Sequence, residues 1–535
     1  MPPEFVMPNY VLRVLTLFEQ FSERLALVRG VRRATYGELT ADVLRIAAAL
    51  RDAGIRPGGK VLVMAANCFD APALQLALHL HGCRVLWSAP ITSRREIDRF
   101  AALSDADAFV YDPDGTGDLG RELAASLAPM PVFQVAELLT GGAPYVIDPS
   151  VPAPDSVLQT SGTTGDPKLV HHTQSFYEQI LELADAFVAN GFPLLRHYSG
   201  SPLWLASGQI TSFFNLFTGG VLFLTDTWSP DEFYRTVSAE RITSTYVTPP
   251  MLYEVLDHPG GEAVDCSSLF MLNVGAGPAT PARLRQGIAR FGPVLRIVYG
   301  LSEAVVVTAL PGLTEDPAHP ERLASAGTPY GDVRLEIRDD DGRVLDAGQT
   351  GEVWVQSKLT FAGYLGRPEL TAETLVDGWL RTRDLGYLDS DGYLFLVDRV
   401  HDMIVTTRRN WAIFCRPIED VLASHPAVRT AAVIGVPDPV VGEAVHAFVV
   451  TRSPVTADDL RQLVTDTLNE MWTPAAIDFV DELPLTRIAK VDKVALRKLY
   501  RELGPVRRPD HAEAGSDGPA RRHPGRRGVG AGEAG

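Results

Sequence analysis

Cysteine is scarce in this chain, and no long apolar run is present. The four cysteines among 535 residues, Cys68, Cys83, Cys266 and Cys415, have no paired spacing, which argues against a disulfide framework or a zinc site and is typical of a reducing compartment. No segment has the apolar length needed to span a bilayer, and the first residues lack the basic start of a signal peptide. We therefore expect a cytoplasmic protein without a membrane span.

Positive charge is also under-represented. The chain carries 49 lysine and arginine residues against 66 acidic residues, a formal net charge of −17. This balance disfavours nucleic acid as a partner, although it allows a local basic pocket for a nucleotide. Hydrophobic residues make up 46% of the composition, and 535 residues exceed what one hydrophobic core usually serves. We therefore expect a globular protein of at least two domains.

Helical and strand patterns alternate in the first part of the chain. Thr35 and Glu38 have the spacing of a capping box, which predicts a helix over residues 36–54. The apolar run at 60–64 predicts a buried strand, and residues 71–81 have a helical pattern. This alternation indicates an α/β fold.

Strand-like sequence patterns become more frequent from residue 333, and we expect a domain boundary near residues 399–402. The resulting fold class is α/β. A large N-terminal domain over residues 1–400 combines α/β sheets with a small β-rich part, and a small mobile α+β domain occupies residues 401–504. Residues 505–535 are rich in proline, glycine and arginine without apolar periodicity, which predicts a disordered tail.

A loop of hydroxyls, glycines and one lysine follows the predicted strand at residues 156–159. Its sequence over residues 160–168 is TSGTTGDPK. Glycine lets a backbone approach an anion, while amides, hydroxyls and lysine interact with phosphate oxygens. We interpret the loop as a phosphate clamp, although a flexible linker has a similar composition.

A second candidate phosphate-binding loop, at residues 54–60, has Walker A spacing. It precedes its strand, however, and Val61 stands where a metal-binding hydroxyl is needed. We therefore reject a kinase-like P-loop.

Four further motifs follow this loop. They are YGLSE at residues 299–303, GWLRTRD at 378–384, DRVHD at 398–402 and LPLTRIAK at 483–490. In this order and at these separations, the five motifs resemble the adenylate-forming superfamily of acyl-CoA synthetases, nonribosomal peptide synthetase adenylation domains and luciferases. The resemblance extends over about residues 36–500. It implies ATP-dependent activation of a carboxylic acid as an acyl-adenylate, with release of pyrophosphate.

The resemblance implies ATP and Mg²⁺ as cofactors and assigns roles to individual residues. Glu303 matches the acid that holds Mg²⁺, a hard cation that prefers oxygen ligands. Lys490 matches the catalytic lysine that bridges the substrate carboxylate and the α-phosphate. For Asp384 and Arg399 an ordinary surface salt bridge is the alternative. The residues expected to bind the nucleotide are Thr160, Ser161, Gly162, Thr163, Thr164, Gly165 and Lys168 at the phosphates, Tyr299 at adenine with Gly300 and Ser302 beside it, and Asp384 and Arg399 at the ribose.

The resemblance also implies a second half-reaction, in which a thiol attacks the adenylate after the small domain rotates about a hinge at Asp402. We expect the thiol of CoA, and the phosphopantetheine of an acyl carrier protein is the alternative. The chain departs from the family pattern over residues 406–416 and at Ala489, where glycine is usual. In the first stretch we expect Trp411 or Phe414 to narrow the thiol's entry or to change which thiol is accepted, and a sequencing error is the alternative. A binding protein of the same fold that has lost turnover is the alternative from another class.

The nature of the acid is predicted from the segments that line the acid pocket in relatives. Amino-acid-activating relatives carry an aspartate near the position of Trp204, and the predicted loop at residues 201–208 contains none. Because a buried ammonium without a partner is costly, we expect a neutral hydrophobic acid, fatty or aromatic. Trp204 is alternatively a core residue. The expected lining residues are Trp204, Ser207, Gly208, Val274, Gly275, Ala276, Gly277 and Val305.

Overall fold

Two large β-sheets with helices packed between them form the main body of the computed structural model. The structure describes residues 9–89, 100, 105–127, 129–140, 143–159, 168–225, 228–313, 316–399, 403–406, 411–438, 442–486 and 490–503. No helix in these ranges is long and apolar enough to cross a membrane. All four cysteines are buried and free of disulfide bonds.

The described residues contain thirteen α-helices. In chain order they are α1 (Tyr10–Gln20), α2 (Tyr36–Asp52), α3 (Ala71–Leu80), α4 (Pro113–Ser126), α5 (Gln174–Ala189), α6 (Ala206–Phe217), α7 (Pro230–Ala239), α8 (Pro249–Asp257), α9 (Pro281–Phe291), α10 (Pro368–Thr374), α11 (Cys415–Ser424), α12 (Ala457–Thr467) and α13 (Lys493–Leu503).

The same ranges contain twenty-six strands. Those of the first half are β1 (Leu25–Arg29), β2 (Arg32–Thr35), β3 (Lys60–Met64), β4 (Arg84–Ser88), β5 (Ala108–Tyr111), β6 (Val132–Gln134), β7 (Asp155–Gln159), β8 (Leu169–Thr173), β9 (Arg196–Ser199), β10 (Val221–Leu224), β11 (Ser244–Val247), β12 (Met271–Gly275) and β13 (Leu295–Leu301). Those of the second half are β14 (Ala304–Leu310), β15 (Thr328–Pro329), β16 (Arg334–Arg338), β17 (Gly351–Gln356), β18 (Gly363–Tyr364), β19 (Leu375–Val376), β20 (Trp379–Leu388), β21 (Leu394–Arg399), β22 (Ile404–Thr406), β23 (Trp411–Ile413), β24 (Val428–Asp438), β25 (Gly442–Thr451) and β26 (Ala476–Phe479).

The two large sheets are mostly parallel. The first has nine described strands in the order β15-β14-β13-β12-β11-β9-β10-β1-β2, and the six strands from β13 to β1 run parallel. The second has seven described strands in the order β18-β8-β7-β4-β3-β5-β6, parallel from β7 to β6. Helices α1, α2, α3, α5 and α6 share one hydrophobic core with both sheets. Strands buried on both faces are expected to be apolar throughout, as β3 and β4 are.

Two smaller sheets complete the described fold. An antiparallel sheet contains β16, β17, β19, β20 and β21, and a further sheet contains β22 to β26. The last sheet packs with α11, α12 and α13 around its own hydrophobic clusters. The predicted fold class is therefore confirmed: a large N-terminal domain with several sheets precedes a small C-terminal α/β domain.

The start of α2 confirms the predicted capping box. The Glu38 amide donates to the Thr35 hydroxyl at 3.2 Å, and the Thr35 amide donates to the Glu38 carboxylate at 2.7 Å.

The prediction for the start of α6 needs correction. Residues 201–208 were expected to form a loop, but α6 begins at Ala206, and Gly208 lies so close to Pro202 that an added Cβ would be 2.0 Å from its carbonyl oxygen. Close packing of a helix on the preceding turn is a tertiary effect that local spacing does not reveal.

A buried polar network lies beneath the strand that leads into the phosphate-clamp loop. Gln75 on α3 accepts from the Trp87 indole at 2.5 Å and donates to the Ser156 hydroxyl at 2.9 Å. Tyr177 on α5 also donates to Ser156 at 2.8 Å. The ring of His79 contacts the same hydroxyl, and burial lowers the pKa of His79 to about 3, which keeps the ring neutral. The network ties two helices to strands β4 and β7.

We predict that Gln75→Leu destabilises the large domain by roughly 3 kcal/mol, because it leaves the Trp87 and Ser156 polar groups buried without this partner. Urea unfolding followed by tryptophan fluorescence measures the loss. Gln462→Leu, at an exposed position of α12, is the matched control and should change the midpoint little. Equal midpoints for the two variants would contradict the structural role of the network.

Candidate active site

A cavity of about 290 Å³ lies between the large domain and the small domain. It opens at the carboxyl ends of β12 and β13, where parallel sheets commonly hold ligands. Seven of the residues expected from the sequence meet at its wall: Ala276, Gly277, Tyr299, Gly300, Asp384, Arg399 and Lys490. These residues are separated by up to 214 positions in the chain, since the list runs from residue 276 to residue 490.

The carboxylate of Asp384 holds two of these residues in place. The Tyr299 hydroxyl donates to one Asp384 oxygen at 2.6 Å, and the Arg399 guanidinium donates to the other at 3.1 Å. Asp384 is only 6% exposed, so this arrangement differs from an ordinary surface salt bridge. Burial, followed by the adjacent Asp384 charge, raises the pKa of Tyr299, and its hydroxyl therefore stays protonated.

Glu303 lies beside a tyrosine that sequence reasoning missed. The Tyr364 hydroxyl donates to the Glu303 carboxylate at 2.6 Å, and burial is the main cause that raises the pKa of Tyr364. The ammonium nitrogen of Lys168 lies 5.1 Å from the centre of the Tyr364 ring. Tyr364 thus connects the end of the phosphate-clamp loop with Glu303. Its two-residue strand β18 pairs with β8, a long-range contact without a local sequence signal.

His172 is a second residue that the sequence did not single out. Its ring contacts the Ser302 carbonyl oxygen through Nε2 at 2.9 Å, from strand β8 directly after the phosphate-clamp loop. Burial lowers the pKa of His172 to about 3, so the ring is neutral and donates through Nε2. The contact fixes the backbone one residue before Glu303.

Two hydrogen bonds join Lys490 of the small domain to Thr486. The Thr486 amide donates to the Lys490 carbonyl at 2.6 Å, and the Lys490 amide donates to the Thr486 hydroxyl at 3.2 Å. Burial, and then the nearby positive charge of Arg399, lower the pKa of Lys490 to about 8, while Asp384 and Glu303 act in the opposite direction. Lys490 is therefore within electrostatic reach of all three groups.

A second cavity, of about 370 Å³, extends from Lys490 into the large domain. Its floor is one face of β11, β12 and β13, and its other walls include residues of α5 and α6. Three of the residues expected to bind the acid line this cavity, namely Ser207, Ala276 and Val305. Gly300 and Ser302, expected at the nucleotide, border it as well. Ala276 and Gly300 are shared by the two cavities.

Five of the residues expected at the acid pocket lie elsewhere. Trp204 is 7% exposed and belongs to the core between the two large sheets, and Val274 packs on the opposite side of its strand with residues of α8. Neither Gly208 nor Gly275 lines either of these two cavities. Gly275 has a spacing role instead, because an added Cβ would be 2.8 Å from the Tyr246 hydroxyl. Gly277 lines the first cavity and not the second.

Several expected site residues fall outside the described ranges. These are Thr160, Ser161, Gly162, Thr163, Thr164 and Gly165 of the phosphate-clamp loop, the expected hinge Asp402, and Ala489. The unusual stretch at 406–416 is described in part, and β22 and β23 pair there as an antiparallel hairpin. Phe414 packs with its ring centre 6.0 Å from that of Trp472 in the small domain, while the side chain of Trp411 is among those not described.

A single carboxylate marks the place where a metal ion would fit. The described residues contain no group of three or more histidine, cysteine, aspartate or glutamate side chains arranged to hold a metal. Mg²⁺, however, is commonly bound by one or two carboxylates together with substrate phosphates. Glu303, with its Tyr364 contact and with Lys168 nearby, provides one such carboxylate beside the clamp loop.

Comparison with known families matches both parts of the chain. The model of the AMP-binding enzyme family matches residues 16–365, and that of the AMP-binding enzyme C-terminal domain matches residues 417–490. A medium/long-chain-fatty-acid–CoA ligase of Mycobacterium tuberculosis is 37% identical over 386 residues, which are 68% of this chain and 66% of that protein. A feruloyl-CoA synthase of Amycolatopsis is 32% identical over 489 residues, which are 89% of this chain and 96% of that enzyme.

Two further similarities concern proteins with other acceptors in their names. A fatty acid–[acyl-carrier-protein] ligase of Streptomyces coeruleorubidus is 31% identical, with 88% of this chain and 92% of that protein covered. The structure of an amide bond synthetase from Marinactinospora thermotolerans is similar with a TM-score of 0.83 and 33% identity, covering 91% of this chain and 99% of that one. The motifs, the fold and both family matches agree, and the chain belongs to the AMP-binding enzyme family.

Proposed function

We propose that this protein activates a carboxylic acid with ATP, forming an acyl-adenylate and pyrophosphate, and then transfers the acyl group to the thiol of CoA. One observation carries the proposal. Lys490 lines both cavities, one bordered by the polar set of Asp384 and Arg399 and the other largely apolar. A cation at such a junction is suited to bring a carboxylate and a phosphate together.

In this proposal the first cavity holds the adenosine. A carboxylate offers about four lone-pair positions, and Tyr299 and Arg399 use two of those on Asp384. The others can accept from the ribose hydroxyls. The ring of Tyr299, held through its hydroxyl, provides an aromatic face for adenine, with Gly300 and Ser302 beside it. We assign the phosphates to Lys168 and to residues 160–165, whose hydroxyls and glycines suit a polyphosphate.

Glu303 would hold Mg²⁺ together with the phosphates. The ion, when bound, neutralises charge on the polyphosphate and makes pyrophosphate a better leaving group. The Tyr364 hydroxyl orients the Glu303 carboxylate, and His172 fixes the preceding carbonyl. These contacts keep Glu303 in one position and so reduce the cost of ordering the site.

Lys490 would act on the charge that develops during adenylation. Negative charge is distributed over the acid carboxylate and the α-phosphate as the new bond forms, and a nearby ammonium lowers the energy of that arrangement. Arg399 contributes a second cation on the same side. Both must be protonated to act in this way.

The second cavity would take the body of the acid. Leu205, Ile210 and Phe214 line it together with Val298 and Val305. No aspartate or glutamate occurs among its described lining residues, so an amino acid would bring its ammonium into a site without a counter-charge. We therefore propose an acid with a fatty or aromatic body.

The acceptor is the less constrained part of the proposal. The names of two relatives include CoA, and the name of a third includes an acyl carrier protein. The similar solved structure is that of an amide bond synthetase. A carrier protein is therefore our second candidate partner.

For thiol transfer we propose that the small domain, residues 401–504, rotates against residues 1–400 about Asp402 and withdraws Lys490. Four free, buried cysteines are in keeping with a cytoplasmic location.

We predict acid-dependent ATP–pyrophosphate exchange with fatty or aryl acids and none with amino acids. A panel of these three acid classes, followed by addition of CoA or of a carrier protein bearing phosphopantetheine, tests both half-reactions. Thioester formation with CoA supports the first acceptor, and acyl loading of the carrier alone supports the second. Exchange with amino acids only would contradict the pocket argument, because that cavity offers no counter-charge for an ammonium.

We predict that Lys490→Ala lowers the exchange rate at least 10²-fold, because the substitution removes the cation that both cavities share. Lys358→Ala is the matched control, since Lys358 lies on the surface and pairs with Glu182. Circular dichroism and thermal unfolding should be the same for both variants. Normal exchange by a folded Lys490→Ala protein would remove this residue from the catalytic role.

We predict that kcat/KM for ATP in the exchange reaction falls as pH rises through about 8, the pKa of Lys490 in the free protein. A lysine acts here as a cation, so the loss of its proton lowers the rate. In Lys490→Arg the fall should move above pH 10, whatever the absolute rate, because a guanidinium remains charged. A profile of Lys490→Arg that still falls near pH 8 would assign this titration to another group.

A further inference from the structure

The far end of the second cavity is polar. Tyr246, Asn273 and Arg296 occupy one register level on the adjacent parallel strands β11, β12 and β13, since Tyr246 pairs with Asn273 and Asn273 with Arg296. All three line the cavity. Arg296 and Gly300 share a face of β13, and four residues of a strand extend about 13 Å. The polar row is therefore well separated from the Lys490 end.

Arg296 lacks a counter-ion in this position. Within the described ranges its guanidinium makes no hydrogen bond and no ion pair, and its Nε atom is buried without a partner. The guanidinium carbon of Arg296 lies 5.6 Å from the centre of the Phe270 ring, and Tyr330 is close enough to interact with its charge. Burial lowers the pKa of Arg296 from its usual value, a sign of the cost of placing this charge here. Arg296 is half-buried, and a guanidinium partly withdrawn from water is usually paired with an acidic group.

The other residues that line the cavity indicate what kind of ligand would pair with Arg296. The described wall contains two cations, Lys490 and Arg296, and no carboxylate. His197 also lines the cavity, but burial lowers the pKa of this histidine to about 4, so its ring is neutral. Between them lie apolar side chains, among them Ile210, Phe214 and Val298. The Tyr246 hydroxyl lies over Gly275, two residues along β12 from Asn273, where an added Cβ would be only 2.8 Å from it. A ligand that complements this wall has an anion at each end and an apolar middle.

We propose that Arg296, with Tyr246 and Asn273, binds a second carboxylate at the far end of the acid substrate. The inference deepens the proposed function and rests on it. The substrate class is then an acid whose reacting carboxylate lies at Lys490 and whose second carboxylate is carried on a fatty or aryl body. Arg296 is the specificity-determining residue, because the guanidinium can form two parallel hydrogen bonds with a carboxylate.

Matched pairs of acids test this selectivity in the exchange reaction. Each pair shares one carbon skeleton with or without a second carboxylate: an alkanoic acid against the α,ω-dicarboxylic acid, and a phenylalkanoic acid against its ring-carboxylated analogue. We expect the wild-type protein to prefer the dicarboxylic member by 10-fold or more in kcat/KM. Arg296→Met should lower kcat/KM for that member at least 10²-fold and leave or raise that of the monocarboxylic member. Arg296→Lys should retain part of the preference.

Two controls distinguish a change in substrate selectivity from a loss of protein stability and from a general loss of acid activation. Arg45→Met, at an exposed position of α2, should keep the wild-type preference. Arg296→Met should unfold at the same temperature as the wild-type protein or higher, because it removes a half-buried charge that has no partner among the described residues. A lower unfolding temperature with equal losses for both members of every pair would assign Arg296 a packing role against Phe270 and overturn the inference.

The remaining outcomes distinguish this inference from the proposed function. A wild-type preference for the monocarboxylic members would overturn the inference while activation stands. If no acid supports exchange, the proposed function fails, and thermal stabilisation by each acid becomes the test of the inference. Stabilisation by the dicarboxylic acids in the wild-type protein, lost in Arg296→Met, supports the second-carboxylate site, and equal stabilisation in both proteins overturns it.

Discussion

The site depends on the buried carboxylate of Asp384. Because a buried carboxylate is stable only with donors around it, Asp384 fixes the Tyr299 hydroxyl from β13 and the Arg399 guanidinium from β21. The same negative charge offsets the effect of Arg399 on Lys490, which comes from the other domain. One side chain thus orients an aromatic ring, positions a cation and contributes to the electrostatic surroundings of the lysine between the cavities.

The positioning of Glu303 shows how the fold supports this centre. His172 lies on β8, the strand after the phosphate-clamp loop, and Tyr364 lies on β18, which pairs with β8. Both contact the segment around Glu303. The polar network at Ser156 anchors the strand that precedes the same loop. The strands on either side of the loop are thus held by side-chain contacts. Rigid supports of this kind are what preorganised catalytic sites require.

Motifs that are local in the chain were predictable from the sequence. The capping box, the alternation of helices and strands, and the meeting of Tyr299, Asp384, Arg399 and Lys490 all depend on short patterns whose chemistry is specific. The residues that escaped prediction depend on long-range register. Tyr364 reaches Glu303 only because β18 pairs with β8, and Arg296 reaches the second cavity because of its strand register. Trp204 was expected at the pocket, and the packing of the two sheets places it in the core instead.

Acyl-adenylate formation is the central claim, and the fate of the carboxylate oxygens tests it most directly. An acid labelled with ¹⁸O in its carboxylate is turned over once with ATP and CoA, and the products are analysed by mass spectrometry. If the carboxylate attacks the α-phosphate near Lys490, one labelled oxygen remains on AMP after the thiol has taken the acyl group. Unlabelled AMP, or ADP with the label in inorganic phosphate, would contradict the account.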